Sequence, residues 1–226
     1  VLDNRSHRPL SIIEQSRAIE KLEGEGHSFE FAELASVLGL PSNPKVFQKI
    51  RALSRLPVVI QAGVSEDMIS LEAAVALCRL SSEDALAFFE LLHPLRLSQN
   101  KEQEIVTLVE EIAVRETLSL TQVVDSYDVK TILNDPNANR NEKGARLRAY
   151  LKQRRYPTLA QAEKLFEGTL KALKLKTGFR MTPPPYFEGR SYAVHISLES
   201  VKDLEAAARE LSLLAENPSM RKILGR

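Results

Sequence analysis

Residues 29–57 read FEFAELASVLGLPSNPKVFQKIRALSRLP and predict two short helices joined by a tight turn. The first helix carries an apolar stripe at helical spacing, formed by Phe31, Leu34, Ala35 and Leu38. Gly39 follows directly, and glycine tolerates the left-handed conformation in which many helices end. The second helix begins with Asn43 as N-cap and Pro44 at the first helical position. Helix, turn and helix in this order are typical of a helix-turn-helix.

Steps of about 100° per residue divide the second helix, residues 44–56, into two faces. The apolar face consists of Val46, Ile50 and Leu53, flanked by Phe47 and Leu56. The candidates for DNA contact are Lys45, Gln48, Arg51 and Arg55, followed by Asn43 and Lys49. A recognition helix needs Lys and Arg for phosphates and Gln and Arg for base edges. We also expect free amides at the helix start, where Ser42 and Asn43 would hold the helix against a phosphate.

The same pattern has a second interpretation, because helical hairpins with one wet face are common in all-α domains. In that case the lysines and arginines only keep one face of the helix in water. Residue pattern alone leaves both interpretations open.

Four segments resemble, in order and spacing, the DNA-binding unit of ParB-like partition proteins. Residues 9–19, PLSIIEQSRAI, resemble the family's "LSPIEQARAI" helix, and residues 31–40, FAELASVLGL, resemble its "EEIAERLGLS" helix and turn. Residues 55–57, RLP, resemble the "RLP" that closes the family's recognition helix. Residues 69–77, ISLEAAVAL, are similar to its "LSEGHARAL" helix. The resemblance spans about residues 8–80.

The resemblance implies an all-helical DNA-binding domain of a bacterial protein that segregates plasmids or chromosomes with a partner ATPase. Some relatives regulate transcription. In the family this domain lies between an N-terminal nucleotide-binding domain and a C-terminal dimerisation domain. We expect the chain to be a fragment without the first of these. The family's Gly-His pair is Glu72-Ala73 here, and if that pair contacts DNA, an acidic side chain at this position would weaken the contact.

Helix start and stop signals recur along most of the chain, so we expect a mostly α fold. Residues 1–134 are expected to form a helical DNA-binding domain, with the helix-turn-helix near residues 29–56. Residues 135–156 read as a linker and a basic helix. Residues 157–226 read as a small α+β domain that follows the helical helix-turn-helix domain.

The small C-terminal domain is expected to contain a two-stranded ribbon, with strands near residues 179–181 and 191–197. A lone hairpin is marginal in water, so the ribbon needs helices or a second copy of itself. The second of these possibilities predicts a homodimer formed through the ribbon. A helix over residues 200–216 follows, with an expected apolar face of Leu204, Ala207, Ala208, Leu211 and Leu214.

Charge is unevenly distributed along a chain whose net charge is only +1. Residues 58–128 carry 13 acidic and 4 basic side chains, whereas residues 140–180 carry 12 basic and 3 acidic ones. The strongest basic cluster consists of Arg146, Arg148, Lys152, Arg154 and Arg155. Such a cluster could bind the DNA backbone, or it could belong to a solvated connecting helix.

The remaining composition argues against several functional classes. The four histidines are far apart in sequence, and one cysteine cannot form a Cys-based zinc site, so no metal or other cofactor is expected. No phosphate-binding loop or nucleophile motif is present, so we do not expect an enzyme. We expect a cytoplasmic protein associated with nucleoid or plasmid DNA and not with a membrane. The interpretations left open are a transcription regulator and a protein-interaction module with a vestigial helix-turn-helix.

Overall fold

The computed structural model describes residues 9–24, 31–41 and 43–224. The described chain is mostly helical, with a small two-stranded antiparallel sheet towards its C-terminus. The predicted fold class is therefore confirmed. The chain divides into two compact units, residues 1–151 and 152–226.

Several of the helices that begin in the first unit are capped by a serine. The helices are α1 (Ile12–Gly24), α2 (Phe31–Leu38), α3 (Pro44–Ala52), α4 (Val58–Ser65), α5 (Leu71–Leu77), α6 (Ser82–Leu92), α7 (Gln99–Glu116), α8 (Leu120–Val124), α9 (Tyr127–Asn134) and α10 (Arg140–Arg155). At the start of α1, the Ser11 N–H donates to the Glu14 carboxylate at 2.8 Å, and the Glu14 N–H donates to the Ser11 hydroxyl. This reciprocal capping box fixes where α1 begins.

Helices α4, α8 and α9 are among the shortest helices of the first unit. They contain eight, five and eight residues. Helix α4 reads VVIQAGVS and is apolar over most of its length. Segments this short do not sample enough turns for a 3.6-residue period to stand out, so capping and packing decide their conformation.

The described residues of the first unit form two hydrophobic cores. The smaller one joins α1, α2 and α3 and contains Ala18, Ile19, Leu34, Ala35, Leu38, Leu40, Phe47 and Ile50. The larger one holds Phe88, Leu92, Ile105 and Ile112 among its fully buried side chains. Leu53 and Leu56 follow α3 and lie in the larger core. Helix α3 is therefore anchored in one core and its continuation in the other.

The turn between α2 and α3 has the predicted construction. Gly39 ends α2 with φ of +69°, a left-handed conformation that glycine adopts without steric cost. The Leu40 N–H donates to the Ala35 carbonyl at 2.8 Å, and the Leu40 side chain is buried. Ala35 itself is fully buried, as expected if its small side chain lets the helices approach closely.

Residues 135–151 lie with the first compact unit. Helix α10 buries Leu147 and Leu151 in the larger core, and a Cβ atom added at Gly144 would lie 2.7 Å from Leu97 Cδ2. The absence of a side chain at Gly144 thus allows α10 to pack closely on this unit. The segment that the sequence assigns to a linker and a basic helix forms a short turn followed by this packed helix.

The second unit combines helices with the predicted ribbon. Its elements are α11 (Pro157–Leu173), β1 (Phe179–Thr182), β2 (Ala193–Ile196), α12 (Val201–Glu216) and α13 (Pro218–Leu224). The strands pair antiparallel, with Phe179 opposite Ile196. The core is small and consists of Phe166, Leu173, Met181, Leu214, Met220 and Ile223. The Phe166 ring packs against Phe187 and Tyr192 at centroid distances of 5.6 and 5.8 Å.

Helix α12 buries only part of the apolar face that its sequence predicts. Its buried residues are Ala207, Glu210 and Leu214, whereas Leu204 and Leu211 are exposed. The Glu210 carboxylate lies 2.6 Å from Lys176 Nζ, so the ion pair allows a glutamate on the buried face. The predicted apolar face is therefore only partly buried: Ala207 and Leu214 are buried as predicted, whereas the prediction is wrong for Leu204, Ala208 and Leu211.

Candidate nucleic-acid interface

The start of α3 is closed by Asn43. The Asn43 Oδ1 atom accepts hydrogen bonds from the Lys45 and Val46 amides at 2.9 and 3.4 Å, and the Asn43 carbonyl accepts one from the Phe47 amide. Pro44 has no N–H group. The expectation of free amides that could bind a phosphate is therefore wrong, because the Lys45 and Val46 amides already donate their hydrogen bonds to Asn43. The neighbouring candidate, Ser42, lies outside the described residues.

Helix α3 presents a narrow exposed strip opposite its buried side. Phe47 and Ile50 are buried in the smaller core. On the opposite side Lys45 and Gln48 are exposed, and the small Ala52 lies between them in projection at 100° per residue. We call these three residues the front strip. The division of α3 into an apolar back and a polar front is as the sequence predicts.

The two remaining cations of α3 flank the front strip, and both are paired with glutamates from other helices. Lys49 Nζ lies 2.7 and 2.8 Å from the two carboxylate oxygens of Glu72 on α5. Arg51 donates through Nε to Glu23 at the end of α1 at 2.9 Å. Both cations are only partly exposed. The structure thus separates the predicted candidates into an exposed front and two ion-paired flanks.

Arg55 lies beyond the end of α3, in the short 3-10 turn Leu53–Arg55, and its side chain is exposed. The backbone here is held by Gln61 of α4, which is 4% exposed. The Gln61 amide donates to the carbonyls of Ser54 and Leu56 at 2.9 and 2.8 Å and accepts from Arg17 Nε at 2.8 Å. Gln61 therefore positions the segment that carries Arg55.

Helix α5, which supplies Glu72, is also fixed by polar contacts. The buried carboxylate of Glu102 on α7 accepts the Ser70 N–H at 3.0 Å, where negative charge is favourable at a helix N-terminus. At the other end, Cys78 Sγ lies 3.4 Å from the Ala52 carbonyl oxygen. Burial raises the pKa of the Cys78 thiol to about 11, so it stays protonated at neutral pH and can donate to Ala52.

The candidate basic cluster of α10 is divided between the two compact units. In the first unit Arg146 pairs with Asp135 and Arg148 pairs with Glu104. The hydrogen bond from the Asn137 amide and that from Arg146 hold the pKa of the Asp135 carboxyl below its usual value. The other three members, Lys152, Arg154 and Arg155, belong to the second unit, where the Arg155 guanidinium carbon lies 4.6 Å from the centroid of the Tyr156 ring.

A cavity of about 460 Å³ lies elsewhere in the first unit, beside the starts of α6 and α8. It is lined by Glu83, Asp84, Ser119, Thr121, Gln122 and Asp125. Among the described residues, no three potential metal ligands lie close enough together to hold an ion. Over the same residues, no helix combines the length and the apolar character that a membrane crossing requires.

Several residues that shape this interface carry no local sequence signal. Glu23 and Gln61 are separated from their partners Arg51 and Arg17 by 28 and 44 positions along the chain. The sequence marks Gln61 only as a polar residue within the otherwise apolar start of α4.

Comparison of the chain with protein-family models, curated proteins and solved structures gave no match.

Proposed function

We propose that the chain binds double-stranded DNA through α2 and α3, with the front strip of α3 in the major groove. The supporting observation is the exposed Lys45 and Gln48, opposite the buried Phe47 and Ile50, on a helix that is anchored in the smaller core and whose continuation lies in the larger one. The major groove admits an α-helix, and glutamine can form two hydrogen bonds to an adenine edge. Lysine supplies a phosphate contact, or hydrogen bonds to guanine. These roles give sequence-specific binding.

The resemblance of residues 8–80 supports a role in DNA segregation, with the chain acting as a ParB-like partition protein alongside a partner ATPase. The site of action would be nucleoid or plasmid DNA in the cytoplasm. Transcription regulation is the alternative use of the same interface, and DNA binding alone does not separate the two. Neither role requires catalytic residues or a cofactor in this part of the protein.

A salt series with the whole chain tests the proposal. Fluorescence anisotropy is measured with a labelled random duplex of about 30 base pairs, followed by selection of tight sites from a random pool. We expect log affinity to fall linearly with log salt, with a slope of about −2 per protomer if Lys45 and Arg55 each contact one phosphate. No binding at low salt, or affinity that is indifferent to salt, would contradict the proposal.

We further propose that the second unit joins two copies of the chain through α12. Five residues recur at spacings of three and four on its exposed side: Val201, Leu204, Ala208, Leu211 and Ala215. Val201, Leu204 and Leu211 are 75%, 55% and 40% exposed. This is the repeat with which two helices pack as a coiled coil, so the same strip on a second copy is a complementary partner. The small core of the second unit also favours stabilisation by association.

The double substitution Leu204→Glu with Leu211→Glu is expected to raise the dimer dissociation constant at least tenfold. It places two charges in the proposed seam, the contact between the apolar strips of α12 in the two copies. Sedimentation equilibrium of the whole chain measures this. Leu213→Glu is the matched control, since Leu213 is also exposed but lies on the other side of α12. The proposed seam is wrong if the control and the double variant dissociate equally, or if the unmodified chain is a monomer throughout.

A protein-interaction module is the second candidate function. The observation in its favour is that Lys49 and Arg51 are already paired with carboxylates, while α12 exposes an apolar strip. In this case α3 would be a structural element and the second unit would carry the activity. The same salt series separates the candidates, because phosphate binding weakens steeply with salt and apolar association does not.

A further inference from the structure

The front strip of α3 is bordered on both sides by carboxylates of neighbouring helices. Relative to Gln48, Lys49 and Arg51 lie on opposite sides of the helix at 100° per residue. Glu72 of α5 pairs with Lys49, and Glu23 of α1 pairs with Arg51. Each flanking cation that could reach a phosphate therefore has an acidic partner within the protein.

We infer that Glu72 and Glu23 limit the affinity of α3 for DNA by holding Lys49 and Arg51 away from the phosphates. This inference rests on the proposed DNA-binding function. It assigns Glu72 and Glu23 as positioning residues that act through the two cations. Lys45 and Gln48 then make the contacts available without rearrangement, and Lys49 and Arg51 add contacts only when their carboxylate partners are displaced.

The Lys49–Glu72 pair is the better defined of the two. Lys49 Nζ contacts both carboxylate oxygens, at 2.7 and 2.8 Å, so its charge is directed at Glu72. The Lys49 and Glu72 side chains are 38% and 33% exposed. A pair that is this accessible to water is weak and can be opened. A DNA phosphate must therefore compete with Glu72 for Lys49.

Opening the Lys49–Glu72 pair also leaves an unpaired carboxylate close to the bound DNA. Once Lys49 turns to a phosphate, the Glu72 carboxylate remains beside α3 and repels the DNA backbone. The same holds for Glu23 when Arg51 leaves it. Neutralising either glutamate removes both the competition and the repulsion, so affinity should rise. The number of phosphate contacts should rise with it.

The test uses Glu72→Gln in the whole chain, with the labelled random duplex of about 30 base pairs and the salt series described above. We expect binding about fivefold tighter at intermediate salt and a log–log slope steeper by about one per protomer, since one more phosphate contact forms. Glu90→Gln is the matched control, because Glu90 is an exposed glutamate on α6 and the charge change is identical. Thermal unfolding of each variant checks that the fold is unchanged.

A second variant separates positioning from a general charge effect. In the Lys49→Ala background, Glu72→Gln should give a smaller gain than in the unmodified background and no steeper salt slope, because only the repulsion of the Glu72 carboxylate is left to remove. An equal gain and an equal change of slope in the two backgrounds would show that Glu72 does not act through Lys49. The inference is overturned if Glu72→Gln matches Glu90→Gln in the unmodified background, or if it weakens binding. If neither the unmodified chain nor Glu72→Gln binds at low salt, the proposed DNA-binding function fails, and this inference fails with it.

Discussion

Replacing Lys45 and Gln48 together with alanine is expected to weaken DNA binding about 100-fold at fixed salt. A lost base contact costs about 1–3 kcal/mol, and a lost phosphate contact adds to it. Both side chains are exposed on the side of α3 opposite Phe47 and Ile50 of the smaller core, so the substitutions should leave the fold intact. Fluorescence anisotropy with a selected site and with random duplex gives the two affinities.

The two losses have different signatures. Gln48→Ala should lower affinity for the selected site more than for random duplex, because a base contact carries the sequence information. Lys45→Ala should lower both affinities and make the salt slope shallower by about one, as a phosphate contact does. If Lys45 instead contacts a base, its loss will also be larger at the selected site.

A matched control exists on α7. Lys101 and Gln103 are exposed there, so Lys101→Ala with Gln103→Ala makes the same chemical change on another helix. The control is expected to bind DNA nearly as well as the unmodified chain. Equal losses in the two double variants would remove α3 from the interface and leave only a general charge effect.

Replacing Gln61 with leucine is expected to lower the free energy of unfolding by about 3 kcal/mol. Leucine is similar in size but cannot donate to the Ser54 and Leu56 carbonyls, and each buried polar group left without a partner costs about 1–3 kcal/mol. The side chain also loses its acceptor for Arg17. Urea unfolding of the whole chain, followed by circular dichroism, measures the change.

The same substitution tests whether Gln61 positions the end of α3. Gln103→Leu is the control, since it makes the identical change at an exposed site and should alter stability by less than about 0.5 kcal/mol. At temperatures where Gln61→Leu is still folded, DNA affinity should fall because the turn that carries Arg55 loses its support. A loss of stability below about 1 kcal/mol would show that the two carbonyls find other partners.

Much of the fold follows from signals that lie within a few residues of each other. The Ser11–Glu14 capping box, the Asn43-Pro44 helix start and the Gly39 turn are all local, and each has the predicted structure. The apolar back of α3 follows from a spacing of three and four residues. Local backbone preference and periodicity decide these features before any helix packs against another.

In the candidate site, local sequence signals predict the faces of α3 but not the ion pairs that its cations form. Periodicity places Arg51 beside Gln48, Lys45 and Arg55 as equivalent candidates, and the resemblance to the ParB-like family identifies Glu72 as a departure. Neither could show that Glu23 pairs with Arg51 across 28 positions of sequence, or that Lys49 pairs with Glu72 across 23. These pairs depend on how α1 and α5 pack beside α3, which no short window of sequence contains.

By itself, the sequence of this protein determined its helical class, the helices α2 and α3 with the turn at Gly39, and the polar face of α3, because these arise from neighbouring residues. Only the tertiary structure decided which cations on that face are exposed and which are paired, because ion pairs form between helices. It also decided which side of α12 is buried: Glu210 lies beside Lys176 there, and Leu204 and Leu211 remain exposed. An apolar period shows that a helix has a face to bury, while the packing partners decide which face is buried.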